Sequence, residues 1–176
     1  MARRFTVCSP MRRIVTPPER AGADPASASG AQAHYRALEH LYASAPINDL
    51  FASRLEITEP GMARITFTVD ERVYHAAGAA HGTIYFKMLD DAAFYAANSL
   101  VSDRFLLTTG FNLHFTKPVR GGKVVAEGRW ISGKRRVFIA EAHLTDEEGD
   151  EVGRGTGTFM RSRIALSGLD GYRLPG

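Results

Sequence analysis

Residues 82–100 read GTIYFKMLDDAAFYAANSL, a helix of about 18 residues in which Ala, Met, Leu and Phe fill nearly every position. A helix that is apolar almost all round has to be buried on most of its sides. The rest of the chain offers mainly strands to bury it. Leu55 and Ile57, then Ala63, Ile65, Phe67 and Val69, alternate with polar residues on either side of Glu59-Pro60-Gly61, the pattern of a hairpin. Four further strand-like runs follow the helix at 106–115, 123–131, 137–144 and 151–161. Pro118, Gly121-Gly122, Ser132-Gly133-Lys134 and the acidic turn at 146–150 separate them. One antiparallel sheet of five to six strands must therefore wrap helix 82–99, an α+β arrangement in a single domain over residues 31–165. A short amphipathic helix at 31–44, ended by Pro46, precedes it, with Tyr35, Leu38, Leu41 and Tyr42 recurring at three and four. Residues 47–51 add a further turn, and residues 166–176 read as a C-terminal tail.

Composition narrows the function classes. A chain of 176 residues with 44% hydrophobic content can build one full core and is short for two ordinary domains. A single cysteine, Cys8, leaves no disulfide framework, CxxC pair or thiolate metal cluster, so a reducing, cytoplasmic setting is expected. No apolar run approaches the ~18–20 residues that span a bilayer, and no membrane partner is expected. The net charge of +3 comes from residues 1–30, where Arg3, Arg4, Arg12, Arg13 and Arg20 face only Glu19 and Asp24. The remainder balances 17 basic against 17 acidic side chains, so a nucleic-acid partner is not expected. The basic head lacks apolar periodicity and reads as a disordered tail or a start upstream of Met11, although its composition overlaps that of transit peptides.

Two adjacent carboxylates, Asp90 and Asp91, sit in the middle of the apolar helix and point about 100° apart. Asp91 has Lys87 at i−4 and Asn98 at i+7, a polar stripe that reads as a solvated or ion-paired face. Asp90 has Phe86, Ala93, Phe94 and Ala97 around it. A carboxylate there either caps a neighbouring backbone N–H or has the raised pKa that a general base needs. At the start of the same helix, Gly82 leaves a backbone N–H open to a ligand at the positive end of the helix dipole, an oxyanion-hole arrangement. His75 and His81 read as loop-packing residues or ligand contacts, and no third metal ligand stands at a metal-binding spacing. Gly153-Arg-Gly-Thr-Gly157 is glycine at period two within a strand, explained by close packing on the buried helix. The basic cluster Lys134-Arg135-Arg136, with Lys117 and Arg120, is either a solvated hairpin tip or a site for a phosphorylated ligand.

The run HGTIYFKMLDDAAFYAANS resembles the HGG-x6-D helix start of the hotdog-fold acyl-CoA thioesterases, in particular their phenylacetate-degradation branch, and TTGFNLHFTKPVRGG resembles a downstream strand of that branch. The likeness covers residues 47–162. It implies hydrolysis of an acyl-CoA thioester to acid and CoA, without metal or redox cofactor, in a homodimer or a tetramer built as a dimer of dimers. Gly82 falls on the glycine whose N–H binds the thioester oxygen, and Asp90 on the carboxylate that attacks or activates water. His81 matches the motif histidine, and His75 stands where relatives often carry an asparagine. Thr108 falls near a Ser/Thr that assists the water from the partner subunit. Gly133, Lys134, Arg135 and Arg136 match a turn near the CoA moiety, with Lys117 beside them, and Phe86, Phe94 and Phe111 are expected to line the acyl cleft. Thr83 departs from the second glycine of the motif. Two other outcomes remain open: a hotdog hydratase or dehydratase on enoyl or 3-hydroxyacyl thioesters with His81 as base, and a non-catalytic acyl-CoA-binding domain.

Overall fold

Helix α2 (Gly82–Asn98) lies against one sheet that contributes all six of its strands to the contact. The computed structural model describes residues 25–173; most of the basic head, with Cys8 and Met11, lies outside them. In chain order the elements are α1 (Pro25–Ser44), β1 (Arg54–Glu59), β2 (Met62–Val69), α2, β3 (Arg104–Phe115), β4 (Gly122–Ser132), β5 (Val137–Thr145) and β6 (Glu151–Ala165). The sheet runs β1-β2-β4-β5-β6-β3 with every neighbouring pair antiparallel. This is the hotdog arrangement, α+β with six strands around one central helix.

Small residues bring helix and sheet together. Met88, Leu89, Ala92, Ala93, Ala96 and Ala97 are completely buried in α2. Opposite them in β4, a β-carbon at Gly128 would collide with the Ala92 carbonyl oxygen. The far end of α2 is fastened by two side chains. Ser99 Oγ donates to Ala96 O at 2.7 Å and accepts the Gly61 N–H at 2.8 Å, tying the β1–β2 turn to the helix. Asn98 is fully buried; its amide donates to Val101 O and Arg104 O, and its oxygen accepts the Leu106 N–H at 2.9 Å. Asn98 is thus the hinge pin between α2 and β3 and does not continue a polar stripe from Asp91.

The two sheet edges are treated differently. Along β1, Glu39 of α1 accepts the Ile57 N–H at 2.8 Å and Arg36 donates to Ile57 O at 3.3 Å, so α1 blunts that edge. The β3 edge has no cover among the described residues and exposes Leu107 and Phe115.

Several boundaries move. Helix α1 begins at Pro25, not at residue 31, so residues 25–30 are helical; proline suits a first helical position, and the apolar period becomes visible only further on. Residues 47–51 contribute a short 3-10 turn, Pro46–Asp49. The segment after β6 packs back rather than trailing off: Leu166 is completely buried, and Tyr172 donates to His34 Nδ1 at 2.7 Å while His34 Nε2 donates to Asn98 O. The glycines of β6 also serve a different neighbour. A β-carbon at Gly155 or Gly157 would strike the Phe111 ring of β3, so the run is a floor for that ring more than a seat for the helix.

Gly128→Ala should lower stability by about 1–3 kcal/mol, because strand backbone and helix backbone cannot both stay in place. Gly110→Ala, with open space around it, should be nearly neutral. Thermal or urea unfolding of the two variants compares them directly.

Candidate functional site

The start of α2 is built so that one N–H is left over. His81 is the N-cap: its Nδ1 accepts the Thr83 N–H at 3.2 Å, and its carbonyl accepts the Ile84 N–H at 2.9 Å. Gly82 N–H has no acceptor among the described residues. It borders a cavity of about 310 Å³ lined by His75, Ala80, Tyr85, Phe115, Lys117 and their neighbours. The Phe115 ring would lie 3.2 Å from a β-carbon at Gly82, so glycine keeps this mouth open. His75 Nδ1 accepts the Ala77 N–H at 3.0 Å, which places the ring proton of the neutral form on Nε2, a free donor. Tyr85, which the sequence did not single out, shapes the opposite wall: its hydroxyl accepts the Val119 N–H at 2.8 Å and donates to Lys117 O at 3.1 Å.

Asp90 lies two turns further along α2. Thr108 Oγ donates to its two carboxylate oxygens at 3.1 and 3.3 Å, from β3 of the same chain. Burial pushes the Asp90 carboxyl up to about 6; the Asp91 charge adds to the rise, and Thr108 and Lys87 oppose it. A half-buried carboxyl that ionises near neutrality is suited to general-base work. Beside it, the Phe86 and Phe111 rings meet edge to face at 5.8 Å, and Phe86 stays 41% exposed.

Other residues fall elsewhere. Phe94 is buried, stacked among Tyr95, Phe105 and Phe159, so it belongs to the core and not to a cleft wall beside Phe86. Lys117 is held by Asp146 and Asp150, each at 2.8 Å, and so is largely neutralised as a phosphate contact. Gly133, Lys134, Arg135 and Arg136 form the β4–β5 turn, past the C-terminal end of α2 and away from Gly82. There Gly133 adopts φ +89°, and a β-carbon would strike the Val137 carbonyl, so this turn requires glycine. Asp91 is paired with Lys87 and largely buried, not solvated.

Gly82 and Asp90 are eight positions apart on one helix, about 12 Å along its axis. One thioester carbon cannot touch both within a single chain. The raised Asp90 pKa also has a stability consequence. The folded carboxyl retains its proton between about pH 4 and 6, where the unfolded one has lost it. Its contribution is therefore fully present below about pH 4 and is lost as pH rises through about 6. Asp90→Asn should be more stable than the wild type at pH 7 by on the order of 3 kcal/mol, with the difference vanishing below about pH 4, as denaturant titrations across that range can measure.

Residues 77–153 match the sequence profile of the Thioesterase superfamily. A Saccharolobus solfataricus protein with an esterase designation is 27% identical over 105 residues, covering 60% of this chain and 70% of its own. Among solved structures, the PaaI protein of the E. coli phenylacetic acid degradation operon superposes with a TM-score of 0.70 at 16% identity, over 77% of this chain and 97% of that one. A Haemophilus influenzae thioesterase gives 0.66 at 19% identity, over 73% and 90%. The PaaI protein of Thermus thermophilus, in a mutant form, gives 0.61 at 22%, over 67% and 100%. At such identities the structures speak for the fold alone: the chain has the hotdog fold, and residues 77–153 within it resemble the Thioesterase superfamily.

Proposed function

We propose that the protein hydrolyses an acyl-CoA thioester to the free acid and CoA, at sites formed between two copies of the chain. The observation that carries this reading is Asp90, a half-buried carboxyl raised to about 6 and held by Thr108 at a wall of Phe86 and Phe111. The open Gly82 N–H at the positive end of α2 supplies the complementary group. Because the two lie about 12 Å apart in one chain, the Gly82 of one copy serves the Asp90 of the other. The uncovered β3 edge, with exposed Leu107 and Phe115, is the surface through which the copies join.

In the reaction the thioester carbonyl oxygen accepts the Gly82 N–H, with His75 Nε2 as a second donor. Asp90 takes a proton from water as the hydroxide adds to the carbonyl carbon, or adds to that carbon itself to form an anhydride that water then opens. Negative charge collects on the oxygen beside Gly82, the C–S bond breaks, and the leaving thiolate receives the proton. Water and thioester balance the reaction without metal or redox cofactor. His81 caps its own helix through Nδ1, which argues for a supporting role over that of a hydratase base. Lys134, Arg135 and Arg136 form no ion pair among the described residues and are assigned to the CoA phosphates.

Asp90→Asn should lower kcat at least ~10²-fold in a thiol-release assay over a panel of acyl-CoAs. Gly82→Pro removes the N–H at a position where proline is tolerated in a helix, and it should be similarly impaired. Mixing the two variants under subunit exchange should restore about a quarter of wild-type activity, since half the dimers then hold one intact site. No recovery would refute the shared site, and hydration of enoyl-CoA without CoA release would refute the hydrolase reading. Neutralising Lys134, Arg135 and Arg136 together should raise KM more than it lowers kcat, with a smaller effect at high salt.

A further inference from the structure

Lys87 and Asp91 form an ion pair one turn apart on α2, and the reaction above uses neither. Their side chains are only 12% and 22% exposed. Lys87 Nζ stands 5.2 Å from the centroids of both the Tyr42 and the Phe51 rings. The Tyr42 hydroxyl, bonded to Ser53 Oγ at 2.7 Å, faces Asp91, and Tyr95 meets the Tyr42 ring edge-on at 5.4 Å. Helix α1 and the segment leading into β1 thus enclose the pair with aromatic rings. A buried ion pair contributes little stability relative to apolar residues of the same volume. Its position suggests another role, because Asp91 is the immediate neighbour of Asp90.

The groups facing these carboxylates are few. From α2 itself, Asp91 and Lys87 act on Asp90; from β3, the uncharged Thr108 hydroxyl donates to it. Asp91 faces Lys87 and Tyr95 on α2 and Tyr42 on α1. We propose that Lys87 and Asp91 are a positioning pair for Asp90: the Asp91 charge opposes a second negative charge beside it, and Lys87 determines how much of that opposition Asp90 feels. The pair rests on the reading of Asp90 as the reacting carboxylate, but its electrostatic effect can be measured without turnover. Burial is the largest cause of the raised Asp90 carboxyl, and the charge of Asp91 comes next.

The test is a carbon-13 NMR titration of the Asp90 carboxyl, assigned by its loss in Asp90→Asn, alongside the acid limb of kcat/KM. Asp91→Asn removes the opposing charge and leaves the cation, so both curves should move to lower pH by at least about half a pH unit. Adding Lys87→Met to Asp91→Asn should move them back up, because the remaining attraction is gone. Asp91→Ser is the second neutral variant if asparagine is not accommodated. A pair with a merely structural role would change Tm or kcat and leave the Asp90 curve in place, and that result overturns the proposal. Shifted NMR curves in a protein that cleaves no thioester would uphold the pair and refute the hydrolase; active protein with unmoved curves would do the reverse.

Discussion

The need to bury α2 on nearly every side governs the rest of the molecule. Its alanine-rich surface lets β4 approach until only glycine fits at position 128, and the sheet follows the helix closely enough for all six strands to touch it. Burial of this kind leaves little room for charge. Two carboxylates in such a helix must each be answered, and they are answered differently: Asp91 by an ion pair with a lysine one turn back, Asp90 by a hydrogen bond from a threonine hydroxyl. The same desolvation that makes the helix a core element raises the proton affinity of Asp90. Burial of the helix and ionisation of the carboxylate therefore pull against each other at this one residue.

The helix termini divide the remaining work. At the N-terminus, His81 satisfies two of the first-turn N–H groups and leaves Gly82 over the cavity. At the C-terminus, Ser99 and Asn98 between them bind the β1–β2 turn, a last-turn helical carbonyl and the entry to β3. A rigid C-terminal anchor fixes where β3 starts and hence brings Thr108 to Asp90. The glycines of β6 act on the same strand from the other side, giving the Phe111 ring a flat floor beside Phe86.

Contrast between the two sheet edges follows from what each has to do. Glu39 and Arg36 occupy the backbone groups of Ile57 in β1, so that edge cannot recruit another strand. The β3 edge keeps its backbone and its apolar side chains available. Under the proposed reaction, Gly82 and Asp90, about 12 Å apart on one helix, would be brought together by a second copy, and this edge is where the proposal places it.

The alternation at 55–69 and the largely apolar run at 82–100 determined the fold class and the central helix from sequence alone, because period and length are local properties that burial then enforces. The oddity of Asp90 was legible for the same reason: a carboxylate on an apolar helical face stands out without coordinates. Other features depended on residues far apart in the chain. That Lys117 is claimed by Asp146 and Asp150, that Phe94 packs on Phe159, that Asn98 is a buried connector and that residues 166–173 pack back on α1 all arise from contacts between elements well separated in the chain, or from turns whose geometry no periodicity encodes. The helix start at Pro25 escaped notice because residues 25–30 carry almost no apolar pattern. Sequence determined which side chains are anomalous in their local setting; the tertiary structure decided which of them meet, because desolvation and pairing are set by neighbours that only the folded chain brings within reach.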